Sequence, residues 1–394
     1  MSKTNKRKIM LVVGEESGDA HAARLVKYLR EIGGDFEFFG ATGEKMRAEG
    51  VETSVEADQF GIMGLPEVAK ALPMFWRVFK KLKATAIEQK PDCVVLVDFP
   101  EFNLKLAKAL KKSGLRVVYY ISPQLWAWRK YRVKAIREYV DLLLTILPFE
   151  KEWYRKNGVK HVQYIGNPLA GEVKPKVSRE EFCAEFELDS NLPIVSLLPG
   201  SRRKELSKIL PVMLEAAVLL EQRVGKVQFI LPLARNRALQ EVREVQGLLK
   251  EDGEVKRLVV VQDRAYDALN ASNAAAVASG TATLEAALIG TPFVMVYLTS
   301  SFNWHVFTPF ISTEFFSLAN LVAEKMVVKE LLQNDLTPET LSNELESLLQ
   351  TELNSEMKKS LNEIKIKLGS GGASKRAAES ILELLRQETA RFPD

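Results

Sequence analysis

The runs A-A-A-V-A-S-G-T-A-T-L-E-A-A, Ala274 to Ala287, and S-L-L-P-G-S-R-R-K-E-L, Ser196 to Leu206, decide how this chain is read. Each passes from a short apolar stretch through a glycine turn into a helical pattern. That is a buried strand, a tight turn and a helix whose first backbone N–H groups have no partner within the helix. Such an N-terminus attracts anions. Two of them about eighty residues apart, with Arg202 and Glu285 beside them, predict a site for a nucleotide diphosphate rather than a lone phosphate. Gly200 and Gly280 permit close backbone approach. Ser201 is the candidate N-cap, and Arg202 offers forked donors to phosphate. Ser279, Thr281 and Thr283 add hydroxyl donors. Glu285 is acceptor-only when ionised and suits ribose hydroxyls. Taken alone, the Gly200 turn reads equally well as an ordinary strand-to-helix turn with a surface arginine.

The same alternation fills the rest of the chain. Strand signals stand at Lys8–Val13, Asp35–Gly40, Cys93–Val97, Arg116–Ile121, Leu142–Leu147 and Val162–Ile165, with helical patterns between most of them. They resume at Ile194–Leu198, Val227–Pro232, Leu258–Val261, Ala274–Ala278 and Phe293–Tyr297. A helical pattern from Glu67 to Gln89 is expected to break at Pro73. Strands spaced by long helices imply parallel βαβ units. The Gly- and Pro-rich run Gly166–Ser178 reads as a linker. The expected architecture is α/β, two doubly wound Rossmann-like domains facing a cleft. Residues 1–170 form the first, 171–372 the second, and 373–394 a helical tail.

A chain of 394 residues suits two domains. The net charge of +4 does not argue for nucleic acid. Cys93 and Cys183 lack metal-ligand spacing, and the scattered His21, His161 and His305 form no zinc pattern, so no metal is expected. No run approaches the ~20 apolar residues of a membrane span. Contact with a membrane is therefore expected to be peripheral.

Three stretches of the first half carry candidate chemistry. D-F-P-E-F-N follows a strand, and Asp98 at its head is a general-base candidate, with Glu101 its competitor. Asp98 as a simple turn cap is the plainer alternative. I-S-P-Q-L-W-A-W-R-K, Ile121 to Lys130, gathers Gln124, Trp126, Trp128 and Arg129 at another strand end, for sugar stacking, acyl packing or core closure. The turn G-E-E-S-G-D, with Ser17, Gly18 and Asp19, is too acidic for a pyrophosphate and reads as facing an acceptor or the cleft, a capped helix start with Asp19 at its N-terminus being an equal alternative. Met74, Phe75, Trp76, Arg77, Lys80 and Lys81 mix apolar and basic residues on one helix. That suits an anionic lipid surface, a doubly packed core helix being the alternative.

In order and spacing these motifs resemble the lipid-A-disaccharide synthases, glycosyltransferases of family 19 and GT-B architecture. The likeness rests on G-E-E-S-G-D at Gly14, F-G-I-M-G-L-P-E-V at Phe60, D-F-P-E-F-N at Asp98 and Y-I-S-P-Q-L-W-A-W-R at Tyr120. It continues with L-P-F-E at Leu147, L-L-P-G-S-R at Leu197, A-S-G-T-A-T-L-E at Ala278 and S-L-A-N-L-V at Ser317. The resemblance implies transfer from UDP-2,3-diacylglucosamine to 2,3-diacylglucosamine 1-phosphate. The products are a β-1,6-linked disaccharide 1-phosphate and UDP, with inversion and without metal or cofactor. It implies Asp98 as base, Asn320 on the nucleotide, Met63 and Asn103 on the acceptor side, and a tail returning to the first domain. Implied partners are the two lipid substrates and the cytoplasmic face of the inner membrane, and a homodimer is allowed. Asn167, Glu16 and Ala319 depart from the pattern, which usually has His, Thr and Pro there. Other UDP-sugar GT-B enzymes, such as a lipid-linked N-acetylglucosaminyltransferase or an epimerase, and a non-catalytic nucleotide-sugar- or lipid-binding protein remain as alternatives.

Overall fold

A computed structural model describes residues 6–57, 65–234, 237–247, 255–300, 304 and 313–389, with backbone alone at 65–71 and 388–389. The chain divides into two compact units, 1–168 with 371–394, and 169–370.

The first unit is built on seven parallel strands: β1 (Arg7–Val12), β2 (Phe36–Thr42), β3 (Glu52–Glu56), β4 (Cys93–Val97), β5 (Val117–Tyr120), β6 (Leu142–Thr145) and β7 (Val162–Tyr164). Their order is β3-β2-β1-β4-β5-β6-β7. The second unit holds β8 (Ile194–Leu198), β9 (Gln228–Leu233), β10 (Leu258–Gln262), β11 (Ala274–Ala278), β12 (Phe293–Tyr297) and β13 (Glu330–Leu332), ordered β10-β9-β8-β11-β12-β13. All pairings in both sheets are parallel. Central strands such as β4 and β11 are buried along their whole length, which is why they read as unbroken apolar runs.

Each sheet reverses its winding once, between β1 and β4 and between β8 and β11. Helices leave the two strands toward opposite faces there, which opens a crevice at the strands' carboxyl ends. The four turns singled out by their glycines and acids all stand at these two points.

Two strands carry no clear sequence signal. The segment E-T-S-V-E of β3 is polar and at an edge, and β13 has three residues, also at an edge. The helix Leu65–Gln89 runs on through Pro73, contrary to the expected break. Pro73 is exposed, so water can serve the carbonyl that loses its partner. The helix Ala373–Thr389 belongs to the first unit. Its Ala373, Ala377, Ala378, Ile381, Leu382 and Leu385 lie in that unit's core.

Candidate functional site

In the first unit, the turns after β1 and β4 touch. A Cβ on Gly14 would stand 2.4 Å from the Phe99 ring, so only glycine fits there. Asp98 and Phe99 both adopt left-handed backbone, with φ of 45° and 50°, a costly conformation for such residues. The turn is held from below. The Tyr119 hydroxyl donates to the Asp98 carbonyl at 2.7 Å, and Asn103 Nδ2 donates to the carbonyls of Asp98 (2.8 Å) and Val97 (3.2 Å). The Asp98 carboxyl itself accepts from the Phe99 N–H, a bond that favours its ionised form but is outweighed by burial. Burial pushes its pKa up to about 6, and nearby Glu15 adds to the shift.

Glu101, the rival carboxylate, has a different setting. Arg132 grips both its oxygens at 2.8 Å and Arg129 adds a further bond. The Arg132 hydrogen bonds hold the Glu101 carboxyl below its usual range. Two carboxylates three residues apart are thus pushed in opposite directions, and only Asp98 is placed to exchange a proton near neutrality.

Several residues expected on the acceptor side prove to be structural. Asp19 is buried and accepts from the N–H groups of Gly43, Lys45 and Met46, capping the short helix Glu44–Ala48. Asn103 is fully buried beneath the Asp98 turn. Trp126 is also buried. Its indole N–H donates to Glu150 at 3.0 Å and its ring meets Phe149 edge-on. Glu150 takes two more N–H groups, from Ile146 and Leu147. It ties the loop 122–129 to the turn after β6, a role not visible in the motif L-P-F-E. Ser17, Gln124 and Trp128 are exposed, and the Arg129 guanidinium lies 4.1 Å from the Trp128 ring centre. Gly18 is buried, and a Cβ built on it would meet the Val97 side chain at 3.7 Å. Met63 lies outside the described residues.

On the basic helix, Trp76 stacks on Phe79 and lies under Lys80, with Leu72, Arg77 and Lys81 also exposed. Met74 and Phe75 face inward instead. Met74 packs on the core, and the Phe75 ring meets Phe99 and Phe102. Among the described residues no helix is long and apolar enough to cross a membrane.

In the second unit, Gly200 and Gly280 have φ of 109° and 138°, which favour glycine, and nothing stands within 4 Å of a Cβ built on Gly280. Ser201 is not the N-cap. The helix Arg203–Val224 is capped at Arg202, whose N–H and guanidinium both reach Glu205. The Arg202 side chain is otherwise in solvent, 83% exposed. Ser279 and Thr283 spend their hydroxyl protons on the carbonyls of Phe316 and Gly280, while Thr281 is exposed. Glu285 is half-buried, has no hydrogen-bond or ion-pair partner among the described residues, and is held above its usual pKa by burial. Asn320 is fully engaged by Val327, Val328 and Glu330, so it shapes the loop beside Ser279 and offers no amide to a ligand.

Residues 9–385 match the family model described as lipid-A-disaccharide synthetase. The lipid-A-disaccharide synthase of Trichlorobacter lovleyi is 39% identical over 98% of this chain and 100% of its own. That of Myxococcus xanthus is 41% identical over 97% and 98%. Among solved structures, a UDP-GlcNAc 2-epimerase from Neisseria meningitidis bound to UDP-GlcNAc superposes with a TM-score of 0.63 at 14% identity, over 95% of this chain and 100% of that one. MurG of Acinetobacter baumannii gives 0.57 at 15%, over 97% and 99%. At such identities the structural likeness is one of fold, the GT-B class.

Proposed function

The chain belongs to the lipid-A-disaccharide synthetase family of glycosyltransferases, and on that premise we propose that it joins UDP-2,3-diacylglucosamine to 2,3-diacylglucosamine 1-phosphate. The observation that carries the reading is Asp98, a carboxyl with pKa raised to about 6 at the winding reversal of the first sheet. Asp98 takes the proton of the acceptor's 6-hydroxyl. The oxygen attacks the anomeric carbon of the donor from the face opposite UDP. The bond between that carbon and the diphosphate oxygen breaks, its electron pair leaves with UDP, and the new linkage is β. Arg202 and the helix starts beyond Gly200 and Gly280 are suited to the charge developing on the diphosphate. Glu285 is suited to the ribose. The exposed strip of Leu72, Trp76, Arg77, Lys80 and Lys81 is suited to the surface of an anionic membrane, from which both lipid substrates would be drawn.

The test is release of UDP from the donor by purified protein in detergent, with and without acceptor. Release that requires acceptor and yields a disaccharide phosphate supports the reading. Release without acceptor, or none with UDP still bound, rejects it. Asp98→Ala is expected to lower turnover by at least about a hundredfold, the scale of general-base loss, with UDP affinity within a few fold of normal. In wild type, kcat/KM should fall as pH drops below about 6, because the base must be ionised. An acid limb retained in an Asp98→Ala variant of normal rate removes Asp98 from this role.

A further inference from the structure

Beside Asp98 lies a cationic fork whose counter-ion belongs to the protein. Arg132 binds both oxygens of Glu101, and Arg129 binds one of them as well. The burial is uneven. The Arg132 side chain is 18% exposed and Arg129 33%, while Glu101 is 56% exposed. The cations are therefore fixed in the wall and the anion is on the outside, the reverse of a surface acid decorated by loose arginines. Arg129 also holds a left-handed φ of 57°, a conformation that is costly for a side chain of its size. Its guanidinium lies against Trp128, and that of Arg132 lies 6.0 Å from the centre of the exposed Tyr131 ring. The fork adjoins the reacting end of the unit. The Tyr119 hydroxyl that supports Asp98 feels the charges of Asp98, Arg132 and Glu101 alike.

Planar guanidinium groups bind carboxylate and phosphate with the same two-point geometry, and phosphate brings more charge. We propose that Arg129 and Arg132 form the recognition site for a phosphate monoester on the acceptor sugar, and that Glu101 occupies this site until the phosphate displaces it. The proposal rests on the function above and specifies which part of the acceptor the first unit reads. Glu101 then gives selectivity as well as stability. An acceptor without phosphate leaves the fork closed on Glu101 and gains nothing from it.

The experiment compares kcat/KM for the acceptor with and without its 1-phosphate, in wild type, Arg132→Ala, Arg132→Lys and Glu101→Gln. Wild type should prefer the phosphorylated acceptor. Arg132→Ala should cut that preference by about tenfold to a hundredfold, as expected for a lost charge-assisted bond. Arg132→Lys should restore only part of it, because the fork is lost and the charge kept. Glu101→Gln should lower KM for the phosphorylated acceptor. A second arm needs no turnover: glucosamine 1-phosphate binding by calorimetry should weaken in Arg132→Ala relative to wild type, which keeps the site testable if the proposed reaction fails. An equal loss on both acceptors, or an unchanged preference, overturns the proposal. A third arm uses phosphatidylglycerol vesicles. If Arg132→Ala loses vesicle binding while the acceptor preference stands, the fork holds a lipid headgroup and the proposal is rejected.

Discussion

Asp98 and Glu150 are both carboxyls raised by burial, and they serve different ends. Asp98 accepts only the Phe99 N–H among the groups that act on its carboxyl, and its pKa near 6 suits proton uptake. Glu150 spends its oxygens on the N–H groups of Trp126, Ile146 and Leu147, yet burial still pushes its pKa to about 7. A carboxyl raised on folding contributes stability that is full below its unfolded value and lost as pH rises through the folded one. Glu150 therefore contributes most in acid, and its contribution falls away between its ordinary value of 4.5 and about pH 7. Glu150→Gln puts an amide NH2 against N–H donors, which should cost about 1–3 kcal/mol. The substituted protein lacks the titration, so its deficit should narrow between pH 5 and pH 7. Denaturant melts at the two pH values check this, and a deficit that widens with pH contradicts the assignment. Trp126 emission should shift to the red as its indole loses the buried partner.

The helix Leu65–Gln89 shows how one element divides its faces. Phe75 and Phe79 meet Phe102 on the inner side, while Leu72 and Trp76 are 60% and 58% exposed among basic residues. Burying those two side chains in lipid is worth about 1.5–3 kcal/mol each. Trp76→Ser should thus weaken binding to anionic vesicles roughly tenfold or more, with little change in melting temperature. Vesicle sedimentation separates the outcomes: equal binding with a lowered melting temperature would mean Trp76 is a packing residue. The inward turn of Met74 and Phe75 was not legible in the sequence. Apolar residues fill several helical faces there, and the elements packed against the helix, Pro100–Lys112 and β3, determine which face is covered. Central strands were legible because burial on both faces makes them uniformly apolar. The edge strands β3 and β13 were not, since a polar or three-residue strand is defined by its neighbour's hydrogen bonds.

The polypeptide leaves the first unit at Pro168 and returns at Gly371 to complete it. Arg376 Nε donates to the Ile165 carbonyl at 2.6 Å, and Ser374 meets the Tyr120 hydroxyl at 3.1 Å, tying the returning helix to strand β5 and to the residue that follows β7. Leu382 packs against Gly33, where a Cβ would come within 2.7 Å of it. Leu382→Ala should therefore destabilise the first unit by about 2–4 kcal/mol. Four of the five tryptophans lie in that unit, so the tryptophan-detected transition should move to lower temperature. An unmoved transition would show the helix to be an appendage.

The sequence by itself determined the alternation of strand and helix, the four turns at the strand ends, and Asp98, Arg202 and Glu285 as candidates. These are local properties: apolar runs, glycines and caps act over a few neighbouring residues. Tertiary structure decided which polar side chains face outward and which hold the frame. Asp19, Asn103, Trp126 and Asn320 carry site-like chemistry in the sequence, but each is bound to backbone or carboxylate of its own unit. The fork of Arg129 and Arg132 on Glu101 likewise joins residues about thirty apart. Such pairings depend on the order in which the sheet sets its strands side by side. Sequence spacing does not encode that order, and burial then leaves each polar group only the partners the fold brings within reach.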